Sequence, residues 1–348
     1  MERMTNSLMG YAKKCLRLYY LKYICRLQRV RTSAPLRLGG VYHKGQELHG
    51  NGDPNAIVKA ATEYDNIPEW ADPLAWAVER ETVRNLLAGH FWRYEADNLE
   101  VVANERAFEL PLVNPDTGRS SRTFVVCGKI DKIVRMPDGR LAVLEYKTCG
   151  QDIGPESDYW LRLRYDSQVS LYVLAARALG FDVATALYDV TRKPEISPRQ
   201  IPELDEHDLK IVVDGNGQRV MKKDGTPRQT ADSAQGYVLL SRQETAEEFG
   251  KRLLEDIGVR PDFYYQRREV PRTEDVLSEF QAELWQQAQY LMAVRKSGLW
   301  FRNVNQMNCR NCDFKELCLN GVKITPDGLP PTGFVQVENV HPELEDAT

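Results

Sequence analysis

Two carboxylates and one ammonium group stand at a spacing that suits phosphate chemistry. Asp131 lies near the end of one predicted strand, and Glu145 and Lys147 lie in the next predicted strand, 141–147. Side chains two residues apart on a strand point to the same face. Glu145 and Lys147 therefore lie together, and the register of the hairpin decides whether Asp131 joins them.

The turn between these strands determines that register. A two-residue Asp138-Gly139 loop would bring Asp131 opposite Tyr146, which points to the other face. A three-residue loop, 137–139, fits a type I turn followed by a left-handed glycine and brings Asp131 opposite Glu145. The turn residues Pro-Asp-Gly thus permit both carboxylates and the ammonium to converge.

Two carboxylates on one face repel each other unless a cation lies between them. Mg²⁺ or Mn²⁺ accepts such oxygen ligands and keeps room for water and substrate phosphate. The ion would polarise a phosphate and acidify water, while Lys147 would orient that water or offset charge on the phosphate. The alternative is a surface hairpin with an ordinary Glu145–Lys147 ion pair, since so short a motif is a weak signal alone.

The cysteines suggest a second centre. Cys309, Cys312 and Cys318 are closely spaced, and such a group leaves a tetrahedral metal site one ligand short. Cys127 and Cys149 flank the strands of the trio, and we expect them to be small core residues.

Composition bounds the class of protein. The chain has 348 residues, 42% hydrophobic and 28% charged, with a net charge of −4. It is long enough for one large α/β domain or two modest ones, and it is not a basic DNA-coating protein. We find no apolar run of membrane-spanning length and no signal-peptide pattern, so we expect a cytoplasmic protein without a membrane partner, whose cysteines are thiols or metal ligands.

Charge is concentrated near the N-terminus. From Arg3 to Gln46 there are ten Lys or Arg and no Asp or Glu, interleaved with five tyrosines. Cations and aromatic rings suit a nucleic-acid strand, whose phosphates need neutralising and whose bases stack. A solvated basic helix face beside a tyrosine-rich core is an equally good interpretation.

Periodicity and turn residues predict the elements that position these groups. Helices are expected at 7–28, 71–87, 157–179 and 273–296, and the capping box Ser241-Arg-Gln-Glu244 starts another. A loop containing Pro35, Gly39 and Gly40 follows the first helix. Strands are expected at 101–102, 107–112, 123–134, 141–147, 185–190 and 263–270. This order predicts an α/β fold with a central mixed β-sheet flanked by helices.

The segments around the trio resemble the RecB-like branch of the PD-(D/E)XK nucleases, which includes the AddB nuclease domain and the CRISPR-associated RecB-like exonucleases. The matching segments are Gly128-Lys-Ile-Asp131, Leu144-Glu-Tyr-Lys-Thr148, Gly39-x3-His43 and Gln168-x3-Tyr172. The resemblance runs from residue 7 to about residue 320 in short islands. It departs at Leu16, where the family commonly has proline, and at the polar insertion 214–236.

The resemblance implies a restriction-endonuclease-like core in a single domain, 1–322, followed by a flexible tail, 323–348. It implies that His43 binds the metal with Asp131 and Glu145. Gln168 and Tyr172 share a helix face at a spacing of four, and the resemblance places them beside the site, where they help to position DNA.

The resemblance also implies a 4Fe–4S cluster that joins segments 1–45 and 300–322, with Cys15 as the fourth ligand beside Cys309, Cys312 and Cys318. Cys25 is the rival fourth ligand. Zn²⁺ is the rival metal, because four thiolates suit it equally well.

Together these patterns predict a metal-dependent DNA nuclease, an exonuclease acting on single strands or duplex ends. The resemblance suggests recombination, repair or phage DNA processing in a bacterial or phage-infected cell, with a helicase or a recombination or annealing protein as partner. The alternative is a catalytically silent module of the same fold that binds nucleic acid or a protein partner.

Overall fold

A computed structural model describes residues 1–342 and 344. It confirms the predicted α/β class, with a six-stranded mixed sheet between helices. The strands are β1 (Glu2–Met4), β2 (Leu27–Arg29), β3 (Glu100–Val113), β4 (Ser120–Arg135), β5 (Leu141–Cys149), β6 (Val183–Arg192), β7 (Gln200–Pro202), β8 (Val212–Val213), β9 (Val238–Leu239), β10 (Ser241–Gln243), β11 (Tyr265–Pro271) and β12 (Phe334–Gln336).

The helices include three long ones that cover the sheet and several short ones that link segments. They are α1 (Asn6–Lys14), α2 (Leu16–Tyr19), α3 (Ala34–Gly50), α4 (Ala56–Ala61), α5 (Pro73–Arg93), α6 (Tyr159–Leu163), α7 (Ser167–Ala178), α8 (Ala246–Val259), α9 (Pro261–Tyr264), α10 (Glu274–Ser297), α11 (Gln306–Arg310) and α12 (Lys315–Leu319). No helix in the described part of the chain is long and apolar enough to cross a membrane.

Strand β4 pairs with three other strands of the sheet, and the pairing along one of its edges is interrupted in the middle. Strand β3 pairs along almost the whole of one edge. On the other edge, β1 pairs in parallel with 124–126, and β5 pairs antiparallel with 132–135. Residues 127–131 therefore lie in a gap between the segments of β4 that pair with β1 and with β5, which leaves room for side chains to meet there. Beyond β5, the sheet continues with parallel β6 and antiparallel β11.

The β4–β5 hairpin has the register that the three-residue turn requires. The Met136 N–H donates to the Arg140 carbonyl at 2.9 Å, and the Gly139 N–H donates to the Met136 carbonyl at 2.8 Å. Gly139 has a φ of 86°, which glycine adopts without strain. The ladder ends at Lys132 opposite Leu144. The predicted turn is confirmed, and the same register continued by one step sets Asp131 across from Glu145.

Hydrophobic side chains pack on both faces of the sheet. One core contains apolar residues of α1, α7 and α10 against β4, β5 and β6, and includes Ile133, Val143 and Tyr188. The other contains residues of α3, α5 and α8 with Tyr265 of β11. Sheet strands buried on both faces are typical of α/β proteins.

Two sequence predictions about the first fifty residues need correction. The helix expected over 7–28 is broken at Cys15, whose φ of −169° is extended, and it ends in a π-helical turn at Tyr20–Ile24. The loop expected around Pro35, Gly39 and Gly40 is wrong, because these residues belong to α3. Proline is tolerated in the first turn of a helix, and a side chain at Gly39 would lie 3.3 Å from the Thr148 hydroxyl, so this glycine allows close packing.

Two later predictions also differ. The single helix expected over 157–179 is two helices, α6 and α7, because Asp166 caps α7 by accepting the Gln168 N–H at 2.9 Å. The capping box expected at Ser241 is wrong: Ser241–Gln243 is a strand that pairs with β7, and the box is formed by Thr245 and Glu248.

The two ends of the chain lie together. Strand β12 pairs antiparallel with β2, and the Arg17 N–H donates to the Phe301 carbonyl at 3.1 Å. Strand β12 lies within the segment expected to be a flexible tail, of which residues 343 and 345–348 lie outside the described residues. The polar insertion, 214–236, is flanked by the short β8–β9 pair. The division into one domain and a tail stays a prediction.

Candidate active site

Asp131 lies at the open edge of β4. Its Oδ2 accepts the backbone N–H of Tyr146 at 3.0 Å and lies 3.6 Å from Nδ1 of His43. Burial, followed by repulsion from Glu105, raises the pKa of Asp131 to about 7. The carboxylate is therefore held by β5 and by α3 in a place where its negative charge is poorly compensated.

Glu145 on β5 is 1% exposed. Its Oε1 lies 2.8 Å from the Lys147 ammonium, whereas its Oε2 is buried without a hydrogen-bond partner among the described residues. Burial, followed by repulsion from Asp131, raises the pKa of Glu145 to about 8. A buried carboxylate oxygen without a partner is costly, and a cation is the kind of ligand that would relieve both the cost and the repulsion.

Lys147 is held by three acceptors. Its ammonium donates to the Gln168 side-chain carbonyl at 2.7 Å, in addition to Glu145, and lies 3.5 Å from Asp166 Oδ2. Burial alone would lower the pKa of Lys147, but the carboxylates of Glu145 and Asp166 more than offset it and keep the pKa above its usual value. The side chain is therefore a fixed cation.

Gln168 and Tyr172 lie on α7 and link this cation to the helix. The Gln168 amide donates to the Tyr172 hydroxyl at 3.1 Å, and the Tyr172 ring packs edge-on against Phe108 at 6.0 Å. Gly128 makes this contact possible, because a side chain there would lie 2.6 Å from the Phe108 ring. The pair supports Lys147 from the side opposite to β5.

His43 enters the site from α3. Burial lowers the pKa of His43 below its usual 6.5, so the imidazole is neutral near pH 7 and has a lone pair for a metal. One cavity of about 450 Å³ is lined by His43, Asp131, Gln168 and Tyr172. The structure thus brings together the side chains that the sequence singled out, and their catalytic roles stay predictions.

The donor set fits a hard divalent cation. It offers carboxylate oxygens and a neutral imidazole, with one carboxylate oxygen lacking any described partner. In the part of the chain that the structure describes, however, no three His, Cys, Asp or Glu side chains are grouped closely enough to form a ready metal site. The Lys147–Glu145 contact at 2.8 Å is one physical reason, because the ammonium already occupies one carboxylate oxygen.

Comparison with known proteins bears on this geometry. The sequence model of the PD-(D/E)XK nuclease superfamily matches residues 7–319. The chain belongs to the PD-(D/E)XK nuclease superfamily. Membership in this family indicates a nuclease that acts on nucleic acid with a divalent metal ion. The RecB-like branch is not distinguished by this match.

No protein with a curated description matches the chain significantly. A solved structure described as the crystal structure of SSO0001 is 11% identical, with a TM-score of 0.27, over 91% of this chain and 96% of its own. A likeness at that score supports no conclusion about this PD-(D/E)XK protein.

Sequence reasoning missed Glu105, a carboxylate close to the PD-(D/E)XK trio. In the β3–β4 ladder Asn104 pairs with Lys132 and Arg106 with Ile130, so Glu105 lies across from Asp131. Its φ of 48° is unusual for a side chain other than glycine. It pairs with Lys129 at 2.6 Å, and burial raises its pKa. No sequence signal marks it, since the β3 register is set by a bulge between Val101 and Ala103.

Asp166 was missed as well, although a signal for it exists. An aspartate one residue before a helical pattern is a typical N-cap, and this cap is what points the carboxylate toward Lys147.

The cysteines form the second candidate centre of this PD-(D/E)XK protein. All seven are free. Cys15, Cys309, Cys312 and Cys318 line one pocket between the two ends of the chain, and the Asn303 N–H donates to the Cys15 sulfur at 3.3 Å. Cys25 is buried in the apolar cluster with Leu18 and Leu21. Like the carboxylates, these thiols are not close enough among the described residues to form a ready metal site.

Proposed function

We propose that this protein is a divalent-metal-dependent DNA exonuclease. The observation that carries the proposal is the Glu145–Lys147 ion pair beside Asp131, which lines the cavity, with one buried Glu145 oxygen left without a partner among the described residues. Superfamily membership supports the hydrolysis of nucleic acid. DNA as the substrate and the requirement for an end belong to the proposal.

Asp131, Glu145 and His43 would hold Mg²⁺ or Mn²⁺, which supplies a Lewis acid for the scissile phosphate and for water. Lys147 orients the attacking water and offsets negative charge on the phosphate. Gln168 fixes the Lys147 ammonium through the 2.7 Å hydrogen bond, and Tyr172 fixes Gln168 in turn. Because these supports come from α7, the position of the cation depends on the packing of α7 against β4 and β5.

The test is digestion of end-labelled linear DNA and of circular DNA with Mg²⁺ or Mn²⁺. We expect the linear DNA to be degraded and the circle to survive. Glu145→Ala should abolish degradation. Glu100→Ala is the matched control, because Glu100 is an exposed carboxylate whose ion pair with Arg135 lies at the sheet edge and contributes little.

Activity in Glu145→Ala equal to that of the wild type would refute the site. Digestion of the circle would refute the requirement for an end. Tight DNA binding without metal-dependent turnover in the wild type would instead favour the catalytically silent module.

We propose also that the four-cysteine pocket holds a 4Fe–4S cluster, with Zn²⁺ as the alternative. The donor set supports it, because four thiols share one lining and Cys25 is not among them. The backbone N–H that donates to the Cys15 sulfur is the kind of contact that stabilises a metal-bound thiolate. Visible absorbance and iron content of the purified protein distinguish the cluster from Zn²⁺.

Association with a helicase or with a recombination or annealing protein is part of the same proposal, as is a role in recombination, repair or phage DNA processing in the cytoplasm of a bacterial or phage-infected cell. Co-purification of such a partner with the tagged full-length chain would test it.

A further inference from the structure

A second cavity lies on the opposite face of the sheet from the proposed active site. Lys132 and Tyr146 directly follow Asp131 and Glu145 in their strands, so their side chains point the other way. They line a cavity of about 580 Å³, within the roughly 300–1,000 Å³ that small-molecule sites span. We call this cavity the back pocket, and neither the proposed hydrolysis nor the cysteine centre uses it.

Lys132 places a buried cation in the back pocket. It is 5% exposed, and its described hydrogen bond is to the Tyr146 hydroxyl at 2.8 Å. Among the described residues no carboxylate lies within ion-pair distance of it. The nearby Asp189 carboxylate is already bound by His90 at 2.9 Å and by Arg267 at 2.6 Å. A buried ammonium without a counter-ion is costly, and an anionic ligand would compensate it.

Two further features show that the pocket has room and unused polar capacity near this cation. A side chain at Gly50 would lie 2.9 Å from the Lys132 nitrogen, so glycine leaves the space that the ammonium occupies. Gln46, which is 1% exposed, also lines the pocket, and its side-chain oxygen is buried without a hydrogen-bond partner in the described part of the chain. A ligand that carries both an anion and a hydrogen-bond donor would satisfy both groups.

The walls of the back pocket are aromatic and apolar. His49 stacks on Phe91 with ring centroids 3.8 Å apart, and Trp92 lines the pocket although it is 55% exposed. Tyr94 and Leu144 also line it. Such surfaces bind flat rings by stacking.

The lining of the back pocket also carries acidic side chains. Asp97 is ion-paired with Arg267, a second cation of the lining, whereas Glu95 is exposed and would repel a long polyanion such as a DNA strand. The charge pattern therefore favours a small ligand, with one anionic group and one flat ring, over a nucleic-acid chain.

We propose that the back pocket binds a small aromatic anion of the nucleoside monophosphate class, with its phosphate on Lys132 and its base against the His49, Phe91 and Trp92 wall. This proposal does not depend on DNA hydrolysis, because binding is measured directly.

The test is isothermal titration calorimetry of the full chain, without divalent metal, against 5′-dAMP, deoxyadenosine and inorganic phosphate. We expect dAMP to bind at least tenfold more tightly than either fragment. Lys132→Met preserves length and removes the charge, and it should weaken dAMP at least tenfold. Glu145→Ala should bind dAMP as the wild type does, since it lies on the other face.

Trp92→Ala provides a second variant that leaves the buried core intact, because Trp92 is exposed, and it should also weaken dAMP. Circular dichroism checks the folding of Lys132→Met. Absence of dAMP binding to the wild type overturns the proposal. So does dAMP binding that survives both Lys132→Met and Trp92→Ala undiminished, or binding of a single-stranded oligonucleotide at this pocket as tight as that of dAMP.

Discussion

Metal affinity should rise steeply with pH, because protons and a divalent cation compete for the same carboxylates. Burial raises the pKa of Asp131 from 3.8 to about 7 and that of Glu145 from 4.5 to about 8. His43 adds little to this dependence, since burial holds its pKa below 6.5. Lys147 stays protonated, because its pKa is above the usual value.

The direction of the change in stability with pH follows from which state, folded or unfolded, binds more protons. Between the unfolded and folded pKa values, the metal-free folded chain holds carboxyl protons that the unfolded chain has lost. Raising the pH through this window favours the unfolded chain, whose carboxyls are ionised, and so destabilises the metal-free fold; the buried groups ionise near the top of the window, at their folded pKa values. The same ionisation frees oxygen ligands, so it strengthens metal binding.

The magnitude of the change in metal affinity follows from the displacement of one proton when the metal binds. Each pH unit then changes the dissociation constant about tenfold, so the change from pH 6 to pH 8 is about a hundredfold. Over the same two units, the free energy of unfolding of the metal-free protein falls by about 3 kcal/mol, at about 1.4 kcal/mol per unit. Displacement of protons from both carboxyls would steepen both slopes.

The assay is calorimetric titration of Mn²⁺ into protein without added divalent metal at pH 6, 7 and 8, with chemical unfolding in parallel. Glu145→Gln is the control, because an amide cannot release a proton, and its slope should be clearly shallower. The reasoning would be refuted if the wild-type dissociation constant changed less than threefold over this range. An equal slope in Glu145→Gln would refute the assignment of the proton to Glu145.

Three further predictions follow from the same contacts. Glu105→Gln removes the carboxylate across from Asp131 and should weaken Mn²⁺ roughly tenfold without lowering the melting temperature; an unchanged titration would remove Glu105 from the metal environment. Gln168→Ala frees the Lys147 ammonium and should slow single-turnover DNA cleavage roughly tenfold or more at unchanged DNA affinity; a pure loss of affinity would contradict the positioning role. Cys15→Ser should lose the visible absorbance and lower the melting temperature, whereas Cys25→Ser should keep the absorbance; the reverse result would make Cys25 the ligand.

Features of the site that depend on neighbours in the chain were predictable. Strand alternation puts Glu145 and Lys147 on one face, and the Pro-Asp-Gly turn with its left-handed Gly139 sets the register toward Asp131. Both are local effects, because turn geometry and the two-residue strand period act over a few residues. The α/β class was predictable for the same reason, since periodicity reports the order of elements.

Helix boundaries near the two centres were less predictable. The break at Cys15 and the break before Asp166 lie inside segments with continuous helical periodicity. Each break turns a side chain toward a partner far away in the sequence, Asn303 in one case and Lys147 in the other. Tertiary contacts override local helix preference at such points, because preference alone is worth less than 1 kcal/mol per ordinary residue.

By itself, then, the sequence determined the trio, its turn, the order of strands and helices, and the close spacing of Cys309, Cys312 and Cys318. Only the tertiary structure decided that Glu105 lies across from Asp131, that Cys15 rather than Cys25 shares the cysteine pocket, and that Lys132 is buried in a cavity behind the site. The physical reason is that each of these depends on how distant segments pack, through a bulge in β3, a break after α1 and the approach of α3 to the sheet. Local patterns carry no information about such contacts.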